Sequence, residues 1–506
     1  MQITLAGYNI DLDALNQAIQ DLEKSVPDVS GALSALKSLT PETISASYAR
    51  ISRDPRPIGK LREAARTDLS AARKSNQAII FTMGHRSIAE HACFNFDLLG
   101  ISRLAVEQIE RSRLCSYTEK SQRYITLAAE YTVPAEIINA GFENAYRSLV
   151  EKDQYAFYFS VLPELEKWHT ENTPDDFFQA MGILQNDAKK KQVIEGLAKE
   201  DARYALPLSA HAQLGLTING RNLEQLVTRL RSSGLTEEKD AGEKLYNLAY
   251  GLAPSIIKYL DESDYYKNTY SEIKDFFAGL LRKNKPGKTK PACVFSGLKP
   301  DISIPAAFLF SSGSLDYKTC LSLAGNFTPA FQKKLLGLSL QYKDHFDPLP
   351  REFEIQNTVC ELTVSASCFA QIKRHRMNTI ICQAYSPHLH FTIPPSVAGI
   401  GKKNEFEKLM LKTGDFYFRL EKAGVPACAL PYVLTNAHRR RVLLAANIRQ
   451  VYAIAMERLN LFAQWDIRGT IKEYLGAMKK TAPYMLQAAC GKHEYHSIKS
   501  LFMGKL

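Results

Sequence analysis

Glutamine followed three residues later by arginine, and two later by a second arginine, occurs twice in this chain of 506 residues. The frames are Gln108, Arg111 and Arg113 in QIERSR, and Gln371, Arg374 and Arg376 in QIKRHR, 263 residues apart. On a helix, positions three apart share a face, so each frame presents an amide beside a guanidinium, a pair suited to gripping a planar base and an anion. A single arginine at such a spacing is ordinarily a surface side chain lying along its own helix. Recurrence at matching positions favours a shared task.

Downstream of the first frame, SYTEKSQRY spaces Glu119, Ser121 and Arg123 by two, which predicts that they project from one face of a strand. A carboxylate, a hydroxyl and a guanidinium on one face form a clamp for a phosphorylated polar ligand; the alternative is a cross-strand ion pair. In the second half the same register holds Cys382, Ala384 and Ser386, and the clamp is gone. Later the asymmetry reverses. Asn447 and Arg458 are 11 residues apart, about three helical turns, so that both can face one ligand. The first-half counterpart of Arg458 is Leu230, flanked by Arg229 and Arg231. An arginine without a carboxylate nearby in sequence points to an anionic ligand, and a helix-surface arginine is again the plain alternative.

The elements that must position these residues are written twice. Glu90 stands before the first frame as Glu354 does before the second, RYALP (203–207) answers ACALP (427–431), and NGR (219–221) answers NIR (447–449). Landmarks in one order argue for tandem duplication. Arg123 to Arg203 spans 80 residues and Ser386 to Ala427 spans 41, which predicts an insertion of 39 residues in the first half, at about 150–200. The expected domains are 1–280 and 292–506, joined by the Lys-, Pro- and Gly-rich connector 281–291. HACFNFDLLGI and QNTVCELTVSA alternate as strands and lead into helical SRLAVEQIERSR and SCFAQIKRHR. PIGKLREAARTDLSAARKSNQAIIF, NLEQLVTRLR and RRRVLLAANIRQVYAIAMERLNLFAQW read as long helices.

Composition narrows the class. With 45% apolar residues the chain is expected to be globular, and neither a signal peptide nor a bilayer-length apolar run is visible, so a soluble cytoplasmic protein is expected. Nine cysteines without a Cys-x-x-Cys pair predict free thiols and no metal site. The net charge of +11 is spread along the chain, which fits anionic small molecules better than nucleic acid.

The first half resembles the flavin-dependent thymidylate synthases. Their signature RHRxxSxNExSxRY is matched by Arg111, Arg113, Ser116, Glu119, Ser121, Arg123 and Tyr124, with Ser112 in place of the histidine and Thr118 in place of the asparagine. HRSIAEHACFNF is similar to the same family, and so are Arg374-His375-Arg376, NIR and AQWDIR in the second half. The resemblance implies an α+β fold in two tandem copies, each a mixed sheet flanked by long helices. It implies FAD, with NADPH and methylenetetrahydrofolate as co-substrates, and reductive methylation of dUMP to dTMP. It further implies a homodimer standing for a tetramer of single domains, with no membrane or nucleic-acid partner.

Carried over residue by residue, one composite dUMP site is complete: Glu119, Ser121, Arg123 and Arg203 from the first half, Gln371, Arg374 and the catalytic Arg458 from the second. FAD is expected at Arg374, His375, Arg376, Asn447 and Arg449, with Ser87, Glu90, Glu119, Asn219 and Arg221. The reciprocal site combines Gln108, Arg111 and Leu230 with Cys382, Ala384, Ser386 and Ala427, and is expected to be dead. Two alternatives remain: a flavoenzyme of this fold acting on another pyrimidine nucleotide, or a non-catalytic flavin- or nucleotide-binding paralogue.

Overall fold

In Cys93–Ser102 (β2), Phe94, Phe96 and Leu98 are fully buried while Asn95 and Asp97 face outward, the alternation of a strand with one face in a core. It pairs with Gln2–Tyr8 (β1) on one side and His211–Asn219 (β4) on the other, and β4 pairs in turn with Ser116–Glu119 (β3). The order β1-β2-β4-β3 recurs in the second half as β5-β6-β8-β7, with β5 Ala292–Phe295, β6 Asn357–Ser365, β7 Thr379–Cys382 and β8 Arg439–Asn447. The computed structural model describes residues 1–24, 39–51, 53–257, 262–268, 272, 291–295, 299–344 and 347–502. Apart from Pro291, the connector 281–291 lies outside them.

The expected α+β class holds, but the described strand pairings are antiparallel where a mixed sheet was expected. The reason is that β4 inserts between β2 and β3, which run in one direction, and so makes antiparallel ladders with both. A second departure is β8. The stretch RRRVLLAAN reads as the start of a helix, yet it forms nine ladder positions against β6 and turns helical only at Ile448. The switch comes from Asn447, whose side chain accepts the Gln450 N–H at 2.9 Å and so caps the new helix. The predicted helix from Pro57 also divides, into Ile58–Thr67 and Leu69–Gln77, where Asp68 leaves helical geometry to cap the second piece.

The same capping device opens the other helices that matter here. Ser102 ends β2 and caps Arg103–Ile109 (α1), and Ser365 ends β6 and caps Ala366–Ile372 (α5). Asn219 ends β4 and caps Gly220–Arg231 (α4) as Asn447 caps Ile448–Arg458 (α7). Between them lie two helices of the first half, Ala156–Asn172 (α2) and Asp187–Ala202 (α3), and one of the second, Lys403–Lys422 (α6).

The halves meet around a local two-fold axis, which shows as residues touching their own counterparts. Arg103 donates to the Ala366 carbonyl at 2.7 Å and Arg376 to the Arg113 carbonyl at 3.3 Å, each pair 263 residues apart. Across the same axis the Leu208 N–H meets the Leu434 carbonyl, and the Asn436 N–H meets the Leu206 carbonyl. These reciprocal bonds equate Leu206 with Leu434, so the counterpart of Arg203 is Pro431, not Ala427. The insertion in the first half is shorter than 39 residues for the same reason: the bridge Tyr131–Ala210 spans 210 − 131 = 79 residues where Phe391–His438 spans 438 − 391 = 47. One apolar core runs through both halves, packing Tyr158 and Tyr204 with Tyr385, Phe406 and Tyr474.

Glu110 and Lys373, also counterparts, form a buried ion pair at 2.5 Å on this axis. Removing one partner strands a buried charge, whereas removing both leaves an apolar contact. Lys373→Met is therefore expected to cost about 3–5 kcal/mol, and Lys373→Met with Glu110→Leu to recover most of it, as read from thermal unfolding.

Candidate functional site

Arg458 is the last residue of α7, and its Nε donates to Nε2 of His375 at 3.0 Å. The bond requires that His375 Nε2 carry a lone pair, and burial together with the Arg458 charge pushes that imidazole down to about 3. Arg458 thus has a neutral partner. Burial opposes its charge, Glu457 favours it, and Arg374 and Arg123 repel it. An arginine from the first half and two from the second stand close enough to feel one another.

Each of the other two has its own carboxylate. Arg374 lies 4.0 Å from Glu119 across the junction of the halves. Arg123 makes a close ion pair with buried Glu200 and donates to the Phe462 carbonyl at 3.4 Å, again from first half to second. The strand carrying Glu119 stops there, so Ser121 and Arg123 do not continue it as expected. The Ser121 hydroxyl accepts the Arg123 N–H at 3.1 Å and folds the segment into a turn, a local bond that competes with the ladder. Likewise α1 and α5 end at Ile109 and Ile372, so Gln108 and Gln371 lie in a last helical turn and Arg111 and Arg374 just beyond it.

Gln371 is buried and donates to Gln464 Oε1 at 2.7 Å; Gln464 donates to the Tyr204 hydroxyl at 2.7 Å, and that hydroxyl to Asp466 at 2.8 Å. This chain of bonds ties Gln371 to Arg203, the neighbour of Tyr204. Arg203 is buried and donates to the Glu200 carbonyl at 3.2 Å, while its Nη2 has no hydrogen-bond partner among the described residues. Burial pushes its guanidinium down, Glu200 favours its charge, and Arg123 and Arg103 repel it. The seven expected substrate residues are therefore drawn together within one chain.

Of the expected cofactor residues, Arg374, His375 and Glu119 belong to this cluster. Glu90, Asn219, Arg221, Asn447 and Arg449 occupy matched places in the two halves. Arg221 bonds Glu90 at 2.6 Å and Arg449 bonds Glu354, while Asn219 and Asn447 are helix caps. Ser87 is exposed, and Arg376 reaches the Arg113 carbonyl. Asn447 and Arg458 occupy opposite ends of α7, about 16 Å apart by helical rise, so one ligand meets both only if it is extended. Glu200, Gln464 and Tyr204 were missed from sequence. Glu200 had one signal, its position three residues before Arg203 on a helix.

The reciprocal pair of half-sites meets at a cavity of about 670 Å³ that includes Gln108, Arg111, Arg229 and Cys382. Arg229 donates to the Gln108 carbonyl at 2.8 Å and to the Ser112 hydroxyl at 3.1 Å.

One buried imidazole and one half-buried give the fold an acid limit. His438 accepts the Thr435 N–H at 3.0 Å through Nδ1, and burial pushes it down to about 3, as with His375. Both are neutral in the fold and titrate near 6.5 when unfolded, so their contribution is full above 6.5 and is lost as pH falls toward 3. Lowering pH from 7 to 5 is expected to cost ~2 kcal/mol through His438 alone, and His438→Asn to flatten the melting temperature across that interval.

A family model described as thymidylate synthase complementing protein matches residues 35–255 and 321–484 of this chain, one segment in each half. The flavin-dependent thymidylate synthase of Geobacter sulfurreducens is 30% identical over 180 residues, 35% of this chain and 66% of that protein. The one from Clostridium tetani is 28% identical over 227 residues, 43% and 82%. The UPF0159 protein Ta1429 of Thermoplasma acidophilum is 23% identical over 436 residues, 80% of this chain and 86% of its own length. Among solved structures, a flavin-dependent thymidylate synthase from Helicobacter pylori complexed with FAD and dUMP aligns at a TM-score of 0.26 and 20% identity, over 51% of this chain and 100% of its own.

Proposed function

This chain belongs to the thymidylate synthase complementing protein family, and on that premise we propose that it methylates dUMP to dTMP reductively, with FAD, at one composite site built from both halves. The observation that carries the reading is the convergence of Arg123 from one half with Arg374 and Arg458 from the other, Arg458 facing a neutral imidazole instead of a carboxylate. In such a cluster the guanidiniums repel one another, and an anionic ligand relieves that repulsion.

In this reading Ser121, Arg123 and Arg203 take the phosphate, where guanidiniums pair with two oxygens at once. The unpartnered Nη2 of Arg203 is one donor ready for it. Gln371, anchored by Gln464, presents its amide to the base, and Arg374 and Glu119 border it. Arg458 is the catalytic residue: a cation fixed beside N3 and O2 of the uracil stabilises negative charge as it develops on the ring. His375 positions Arg458 by accepting its Nε proton at Nε2, which leaves the remaining guanidinium donors for the substrate.

The residues fit an extended flavin dinucleotide. His375 meets Arg458 at one end of α7 with Arg374 beside it, and Asn447 and Arg449 stand at the other; in this reading Arg376, Ser87, Glu90, Glu119, Asn219 and Arg221 are further contacts. Bound FAD supplies hydride chemistry, NADPH its reduction and methylenetetrahydrofolate the carbon. The working form is a cytoplasmic homodimer of tandem chains, and a monomer in sedimentation would count against that. Tritium release from [5-³H]dUMP by purified protein with FAD, NADPH and methylenetetrahydrofolate tests the function. Absence of release with flavin bound sinks it.

A further inference from the structure

The reciprocal cavity has kept more than its lost clamp implies. We infer that it is a second nucleotide site, one that binds a phosphorylated pyrimidine without turning it over. The local two-fold equates Ser112 with His375 and Gln108-Arg111 with Gln371-Arg374. In the complete site Arg458 donates to His375. In the reciprocal one the counterpart of Arg458 is Leu230, yet Arg229, one position earlier, donates to Ser112 instead. A guanidinium thus returns to the same place by a shift of one residue along α4, with Arg111 beside it as Arg374 is beside Arg458. Random decay of an unused site gives no reason for that substitution.

The charge pattern points the same way. Arg440, contributed by β8, is sandwiched over Tyr385 and Phe369 and paired with Glu107 at 2.8 Å; Lys373 is paired with Glu110. Those two pairs cancel. Arg111, Arg113, Arg229 and Arg376 also line the cavity, and none has a carboxylate within ion-pair distance among the described residues. Nε of Arg229 is buried without a hydrogen-bond partner among the described residues. The nearest further acid to Arg229 is Glu238, which burial holds at about 7 and so only partly charged at neutral pH. A cavity of about 670 Å³ is of the size that takes a mononucleotide. Cys382, Ala384 and Ser386 stand where the complete site has Glu119, Ser121 and Arg123, so the ligand is held by arginines of the first half and not clamped for reaction.

The choice of probe rests on the proposed function; the site itself does not. Calorimetric titration of the full FAD-loaded chain with dUMP is expected to give two ligands per chain. Exposed Arg111→Glu should leave one, with tritium release at the wild-type rate, and Arg229→Ala should weaken that same site at least about tenfold, the effect of losing ~1.4 kcal/mol. Arg123→Ala should leave only the reciprocal site. One ligand per chain, lost in Arg123→Ala and untouched by Arg111→Glu, overturns the inference and leaves the proposed function standing. One ligand lost only in Arg111→Glu supports the inference and overturns the function. No binding overturns both.

Discussion

Arg458→Ala is expected to lower the rate of tritium release from [5-³H]dUMP roughly 10²–10³-fold, the effect of removing one preorganised charge donor, with FAD still bound. The hydrogen-bond partner of Arg458 is an imidazole held neutral by burial, and its charged neighbours Arg374 and Arg123 repel it. Glu457 supports its charge, but among the described residues no carboxylate accepts a hydrogen bond from the guanidinium, and a transition state that gathers negative charge is stabilised more by it than is the ground state. The loss should fall on kcat more than on KM. Arg458→Lys is expected to recover little, because an ammonium donating to His375 has no planar fork left to offer the ring. Full activity in the lysine variant would show that the charge suffices without the planar fork, and an unchanged kcat in Arg458→Ala would show that Arg458 only fills space.

Arg123→Ala should act on binding instead. A guanidinium that meets the phosphate through charge-assisted bonds is worth about 2–5 kcal/mol when its partner is left behind, so KM for dUMP is expected to rise roughly 10²-fold or more. Removal also strands the buried carboxylate of Glu200, which burial already pushes upward and which then repels the phosphate. The double variant Arg123→Ala, Glu200→Gln separates the two effects: the melting temperature should recover, and the affinity for dUMP only in small part. Full recovery of affinity would mean that Arg123 serves Glu200 and not the ligand.

Much of the frame was legible because it is local. Ser102 and Ser365 end strands and open helices, each by a side chain bonding three residues ahead. Glu90 with Arg221 and Glu354 with Arg449 repeat as contacts what they repeat as letters. What could not be read depends on distant chain. Three arginines and the run VLLAA hide the alternation of β8, whose strand character comes from its ladder with β6. The turn at Ser121 ends an apparent strand through one hydroxyl. Aligning RYALP with ACALP matched letters four positions away from the reciprocal bonds across the two-fold. The expected composite set rests on complementary loss, Ser386 against Arg123 and Leu230 against Arg458. Glu200, and His375 as the partner of Arg458, were not, because helix packing brings them in from 77 and 83 residues away.

The contacts of Arg123 with Phe462 and of Arg374 with Glu119 lie inside one chain, so in the proposed site both parts come from the same molecule. Tritium release from co-expressed and co-purified Arg458→Ala and Ser121→Ala chains tests this most directly, beside wild type and each variant alone. The account predicts release by wild type only, because every chain of the mixture carries one broken part in its own composite site. Release restored in the mixture would mean that the halves complement between chains, and silence from flavin-loaded wild type would mean that dUMP is not the substrate.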